Sequence, residues 1–243
     1  ILDLTVEDVA AGRLKGITTI EARATQSLSS FNMDFTEYEI TKIVVNGQPA
    51  DCKHSPHELT IIPSTPLAAN ELFTVEVQYQ GTPPQLLSTA IPIRTGWVTD
   101  QDGSYVLSEP AGAATFYPVN DHPRDKASYT FRVTVPKPFE VAANGILRET
   151  VEQDETNTFL FEARDPMASY LATINIDEFD LETSKAENGI PIRNYYSTEL
   201  PEDVGQLFER QDEMLVYYSD IFGSYPFEIY GAVVVDTRLG AAL

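Results

Sequence analysis

Three stretches of the chain alternate apolar and polar residues with a period of two, and this spacing restricts the fold more than any other feature. Leu2, Leu4 and Val6 alternate with Asp3, Thr5 and Glu7; Phe73, Val75, Val77 and Tyr79 with Thr74, Glu76 and Gln78; Tyr129, Phe131, Val133 and Val135 with Thr130, Arg132 and Thr134. Successive side chains of an extended chain point to opposite sides, so each stretch has one dry and one wet face and fits a half-buried antiparallel strand. Tyr170, Ala172, Ile174 and Ile176 repeat the pattern. Asn46-Gly47 and Asn144-Gly145 stand between apolar runs, and since both residue types accept positive φ, a tight hairpin turn is predicted at each.

The period changes after about residue 197. Val204, Leu207, Phe208, Leu215, Tyr218, Ile221 and Phe222 fall at three- and four-residue spacings, with Pro201 suited to a first turn and Gly223 to the stop. One amphipathic helix is predicted from Pro201 to Phe222. Tyr225-Pro226 then breaks the chain, and Gly231-Ala232-Val233-Val234-Val235 reads as a short buried strand. A β domain over residues 1–197 followed by the helix and strand of a second domain over 198–243 is the expected organisation.

A chain of 243 residues with 42% hydrophobic residues can bury a real core. Its formal charge of −21, from 37 acidic and 16 basic side chains, repels a phosphate backbone, so no nucleic-acid partner is expected. No apolar run approaches the roughly 18 residues of a membrane span, so none is expected in this chain. Ile1 follows neither an initiator Met nor a signal pattern, and the start reads as an internal cut. The single cysteine, Cys52, is read as a half-buried small residue. It excludes an intrachain disulfide and leaves the compartment open, with the cytoplasm favoured over an oxidising setting.

Chemistry is scarce among the motifs. His54, His57 and His122 are the only histidines, too few and too scattered for a zinc site of three or four ligands. His57-Glu58-Leu59-Thr60-Ile61 begins like the helical H-E-x-x-H motif but carries Ile61 where the second imidazole belongs, and its alternation favours a strand. There is no G-x-S-x-G elbow and no phosphate-cradling glycine loop. Paired carboxylates of a glycosidase are neither selected nor excluded by sequence. The residues by themselves indicate a β domain, and a stand-alone β-sandwich binding module is one reading of it.

The stretch from Ser108 to Ala127 carries more. Glu109-Pro110, Ala113, Pro118, Asp121, Pro123 and Lys126-Ala127 match, in register and without a gap, the pattern E-P-x-x-A-R-x-x-F-P-C-F-D-E-P-x-x-K-A. Ala114, Tyr117, Val119-Asn120 and His122 depart from it. The helix ends in Tyr218-Ser219-Asp220-Ile221-Phe222-Gly223-Ser224-Tyr225-Pro226, similar to Y-F-G-x-P-Y-P, and Gly240-Ala241-Ala242-Leu243 falls where G-x-M-E-N is expected. On these residues the chain resembles the aminopeptidase N family of zinc metallopeptidases.

That resemblance implies an antiparallel β-sandwich or saddle-like amino-terminal domain, mainly β, followed by the first helix and strand of a thermolysin-like catalytic domain. It implies that zinc, held by a downstream H-E-x-x-H and a later Glu, belongs to the full-length enzyme and that this chain holds none and is inactive alone. The partners implied are a peptide with a free N-terminus and the missing catalytic domain. Glu109 would bind the substrate amine, and Ala241, Ala242 and Leu243 would line the peptide. Asp121 and His122 receive no catalytic role; an Asx-type turn is the expectation for Asp121. Leu107 stands where the family often places a second amine-binding Gln.

Overall fold

In the computed structural model, residues 1–84, 86–87, 93–99 and 103–237 are described. Among them the largest sheet has ten strands, in the spatial order Ile146–Glu152, Thr156–Met167, Ala127–Pro136, Leu2–Asp8, Arg13–Arg23, Leu72–Gly81, Glu39–Val45, Gln48–His54, Glu58–Pro63 and Phe31–Asp34. Neighbours run antiparallel except Leu2–Asp8 beside Ala127–Pro136, which are parallel. A second sheet orders Glu140–Ala143, Ile174–Asp177, Ser104–Leu107, Arg94–Thr99 and Leu86–Leu87.

The alternation explains why these two sheets meet. Leu2, Leu4, Val6, Val75, Val77, Tyr79, Phe131, Val133 and Val135 are all buried on one face of the large sheet. They share a core with Trp97, Val106, Ile174 and Ile176 of the second sheet. The strands that read most clearly in sequence are those with one face against this core. The fold is mainly β, as expected.

Four local readings need correction. Asn46 and Gly47 do form a tight hairpin, with φ of 50° and 76°, between Glu39–Val45 and Gln48–His54. Asn144-Gly145 does not: Glu140–Ala143 pairs with Ile174–Asp177, whereas Ile146–Glu152 pairs with Thr156–Met167. The dipeptide is a corner where the chain changes sheets. The Asn144 side chain donates to Leu171 O at 3.0 Å and accepts from Thr173 N at 2.7 Å, while Gly145, at φ 83°, packs onto the Glu162 carbonyl where a Cβ has no room. Tyr170 lies in a 3-10 turn, Ser169–Leu171, and only Ile174–Asp177 of that stretch is strand.

The third correction concerns the helix, which spans Gln211–Phe222 only and is preceded by a 3-10 segment, Val204–Phe208. Gln211 Oε1 accepts from Asn194 Nδ2 at 2.8 Å and Phe208 turns onto the Tyr196 ring, so tertiary contacts fix where the regular helix begins. Leu215 is buried with Ala186 and Ile192. The strand Val233–Val234 runs parallel to Pro191–Ser197, which pairs on its other side with Phe179–Lys185. Cys52 is exposed rather than half-buried.

Candidate functional site

Glu109 lies on the turn that follows the strand Ser104–Leu107, exposed together with Pro110, to which it is joined by a cis peptide. The turn is short and closed: Ser108 O accepts from Gly112 N at 2.6 Å. Gly112 is buried between two backbones, and a Cβ there would meet Gly96 N at 2.6 Å and Leu107 O at 2.7 Å. The 3-10 turn Ala113–Thr115 leads away from it.

Every carbonyl from Gly112 to Phe116 accepts a hydrogen bond. Thr115 Oγ1 donates to Gly112 O at 2.6 Å and accepts from Trp97 N at 3.0 Å. Phe116 N donates to Ala113 O at 3.3 Å, and Thr36 N donates to Ala114 O at 3.1 Å. Tyr38, just before the strand Glu39–Val45, and Tyr79 of the strand Leu72–Gly81 are buried and send their hydroxyls to Thr115 O at 2.8 Å and Phe116 O at 2.6 Å. Burial raises the pKa of both phenols and keeps them as donors. Buried carbonyls tied in this way have no alternative conformation of similar energy, so the exposed carboxylate stands on a rigid base.

Asp121 and His122 follow at the end of the same segment. Ser169 Oγ donates to Asp121 Oδ1 at 2.5 Å, and Asp121 N donates to Asp34 Oδ2 at 2.8 Å. His122 Nδ1 accepts from Arg124 N at 3.1 Å in a turn where Asn120 Nδ2 also donates to Asp125 Oδ2 at 2.6 Å. These contacts tie the segment to its neighbours, and Asp121 bridges elements rather than capping its own turn.

Burial raises the Asp121 pKa above its ordinary value, the Ser169 hydroxyl opposes that shift, and the nearby Asp34 charge adds to it. The folded state therefore holds this proton more tightly than the unfolded chain. Its contribution to stability is complete below the ordinary carboxylate value of 3.8 and is lost as pH rises through the higher folded value. An Asp121→Asn variant keeps the acceptor for Ser169 and removes the titration. Its urea midpoint is expected to gain on wild type as pH rises from 4 toward neutrality and then to level off; a constant difference across that range would count against the assignment.

Zinc does not fit the described residues. No group of three His, Cys, Asp or Glu side chains comes together among them. His54 stacks on Phe35 with Nε2 buried, His57 is exposed, and His122 is engaged in its turn. The H-E-x-x-H-like stretch is indeed strand, Glu58–Pro63, with Leu59 and Ile61 fully buried. Ala241, Ala242 and Leu243 lie outside the described residues.

The sequence profile of the peptidase M1 N-terminal domain matches residues 2–171. The chain belongs to the M1 peptidase family. It is 31% identical to an M1 zinc metallopeptidase from Deinococcus radiodurans, with a TM-score of 0.90 over 98% of this chain and 55% of that one. A variant of that enzyme solved with a Tyr-Ser-Ala substrate gives 30% identity, a TM-score of 0.90, and coverage of 98% and 56%. Aminopeptidase A of Gloydius brevicauda is 32% identical over 88 residues, 36% of this chain and 9% of that protein. This M1 chain thus spans little more than half the length of the solved relatives and about a tenth of the curated one. The profile match contains the Glu109 turn and the Tyr38 and Tyr79 positions that anchor it. In the sequence Tyr79 reads as an apolar residue of an alternating strand, and nothing along the chain singles out Tyr38. A phenol at a buried position, where an aliphatic side chain would pack as well, is the signal that a hydroxyl is needed.

Proposed function

We propose that this chain is the amino-terminal part of a zinc aminopeptidase and that Glu109 binds the α-ammonium of its peptide substrate. The observation that carries this reading is an exposed carboxylate on a turn closed by the Gly112 N to Ser108 O hydrogen bond and followed by a segment, Gly112–Phe116, in which every carbonyl accepts a hydrogen bond. An exopeptidase must tell a chain end from an internal peptide, and the free ammonium is the charge that marks the end. A fixed carboxylate recognises it through a charge-assisted hydrogen bond without reorganising. The zinc belongs to the remainder of the enzyme, as does hydrolysis, and this chain supplies positioning. The test is discrimination: in the complete peptidase, loss of the Glu109 charge should penalise free-amine substrates and leave N-acetylated ones unaffected.

The same reading divides the chain at about residue 197. Met214, Tyr217, Tyr218, Ile221 and Phe222 recur at three- and four-residue spacing along Gln211–Phe222, and all are exposed, Phe222 by 80%. Beside them Gln211 and Leu215 are buried, so the apolar surface is wider than the single stripe of a helix packed on one side only. Such a helix suits a position between the β domain and the rest of a catalytic domain. Since helices take most of their stability from packing, amide exchange in Gln211–Phe222 of this chain is expected to be faster than in Ala127–Pro136. Equal protection would mean that the contacts of Leu215 and Gln211 suffice and that the division is misplaced.

A further inference from the structure

Away from the Glu109 turn, a cleft of about 290 Å³ opens between the end of the strand Thr156–Met167, the strand Pro191–Ser197 and the segment from Tyr225 to Val233. Aromatic rings form much of its wall. Tyr195 is buried, Tyr225 and Phe227 meet with ring centroids 5.8 Å apart, and Phe227 leans on the main core. The volume is at the lower end of the roughly 300–1,000 Å³ range of small-molecule sites, which suits a ligand of about amino-acid size.

Two half-buried charges of opposite sign line this cleft without meeting, Arg193 and Asp165. Arg193 Nη2 donates to Ala143 O at 2.9 Å and Gly145 O at 3.0 Å, and its guanidinium carbon lies 5.0 Å from the Phe161 ring centroid and 5.3 Å from that of Tyr195. Among the described residues no carboxylate comes within 4.0 Å of it, and no cation comes within 4.0 Å of Asp165. Other arginines of the chain, such as Arg148 and Arg164, are paired with Glu162. Burial pulls the Arg193 pKa down from the usual arginine value, which is the electrostatic cost of a guanidinium without a counter-ion.

The charges decide the ligand class. A simple anion would meet Asp165 and the Glu228 carboxylate, which also lines the cleft and accepts from Arg164 N at 3.4 Å. A simple amine would meet Arg193 and the exposed Arg164, which also lines the cleft but is paired with Glu162. A zwitterion satisfies both, with its carboxylate on the free edge of the guanidinium and its ammonium on the carboxylates, and the rings accommodate an apolar side chain. We infer that this cleft binds a free α-amino acid with an aromatic or large aliphatic side chain, its carboxylate on Arg193 and its ammonium on Asp165. The inference goes beyond the aminopeptidase reading and rests on it only for the source of the ligand: such an amino acid is what an aminopeptidase releases, so the cleft would sense product.

Titration calorimetry of this chain with L-phenylalanine tests the inference without any turnover, so its outcome is independent of whether the peptidase reading holds. Saturable binding in the millimolar range or tighter is expected. It should weaken at least about tenfold for N-acetyl-L-phenylalanine, for L-phenylalaninamide and in the Asp165→Asn variant, each of which removes one charge-assisted contact. Arg193→Met should do the same, but Arg193 also ties down two carbonyls, so the shape-conserving Asp165→Asn variant carries the test. No heat up to about 10 mM ligand, a concentration at which millimolar binding would be evident, overturns the assignment. So does equal affinity for L-phenylalanine in wild type and Asp165→Asn, or for the amino acid and its N-acetyl form.

Discussion

Glu109→Gln and Glu109→Ala in the complete peptidase are expected to lower kcat/KM for free-amine substrates by roughly tenfold to a thousandfold. Zinc content and folding should be unchanged. Glu109 is exposed on its turn and forms no ion pair among the described residues, so a loss of activity can be read as a loss of recognition. The size follows from one charge-assisted hydrogen bond, worth about 1.5–3 kcal/mol, with a further loss of positioning when the amine is free to move. Leu107, two residues earlier, is half-buried and offers no polar atom, so the β domain supplies no second amine contact at that position. Wild-type kinetics in both variants, or an equal loss on N-acetylated substrates, would reduce Glu109 to a solvated acid.

A second large effect is expected from a residue that touches no substrate. Gly112→Ala places a methyl group 2.6 Å from Gly96 N and 2.7 Å from Leu107 O. Both are backbone atoms held in a sheet and cannot turn aside as a flexible side chain would. The turn must open or the two strands must part, at a cost of about 3 kcal/mol, the upper end for overpacking. Denaturant midpoints measure that cost, and KM for free-amine substrates should rise with it in the complete enzyme because the base of Glu109 has moved. Gly205→Ala is the control. Its added methyl would find its nearest neighbour at 3.6 Å, and little change is expected. Equal behaviour of the two variants would show that the turn tolerates displacement.

How far the sequence could be read depended on whether the physics was local. The strand Leu72–Gly81 shows itself because its parity is imposed by one buried face, and the Asn46-Gly47 hairpin because two adjacent positive φ angles demand particular residues. Asn144-Gly145 presents the same dipeptide, yet it joins strands of different sheets, and that difference is carried by Leu171, Thr173 and Glu162, which are distant in sequence. The start of the helix is not legible along the chain for the same reason, since Asn194 and Tyr196 determine it. At the candidate site Glu109 was found through a motif. Its supports, Tyr38, Tyr79, Gly96 and Thr115, are assembled from four separate stretches and carry no joint pattern along the chain.

The parallel pairing of Leu2–Asp8 with Ala127–Pro136 has a consequence for synthesis. Leu2–Asp8 precedes every other strand of the ten-stranded sheet along this chain yet occupies its interior, and it can pair with Arg13–Arg23 at once. Its other edge stays open until residues 127–136 emerge, with Leu2, Leu4 and Val6 lacking part of their cover. Closing that distant contact carries the loop entropy of everything between, so the sheet completes late. A nascent chain stalled before Ala127 should therefore be cut readily by protease within its first strands, whereas one stalled beyond Met167, with Thr156–Met167 also in place, should resist.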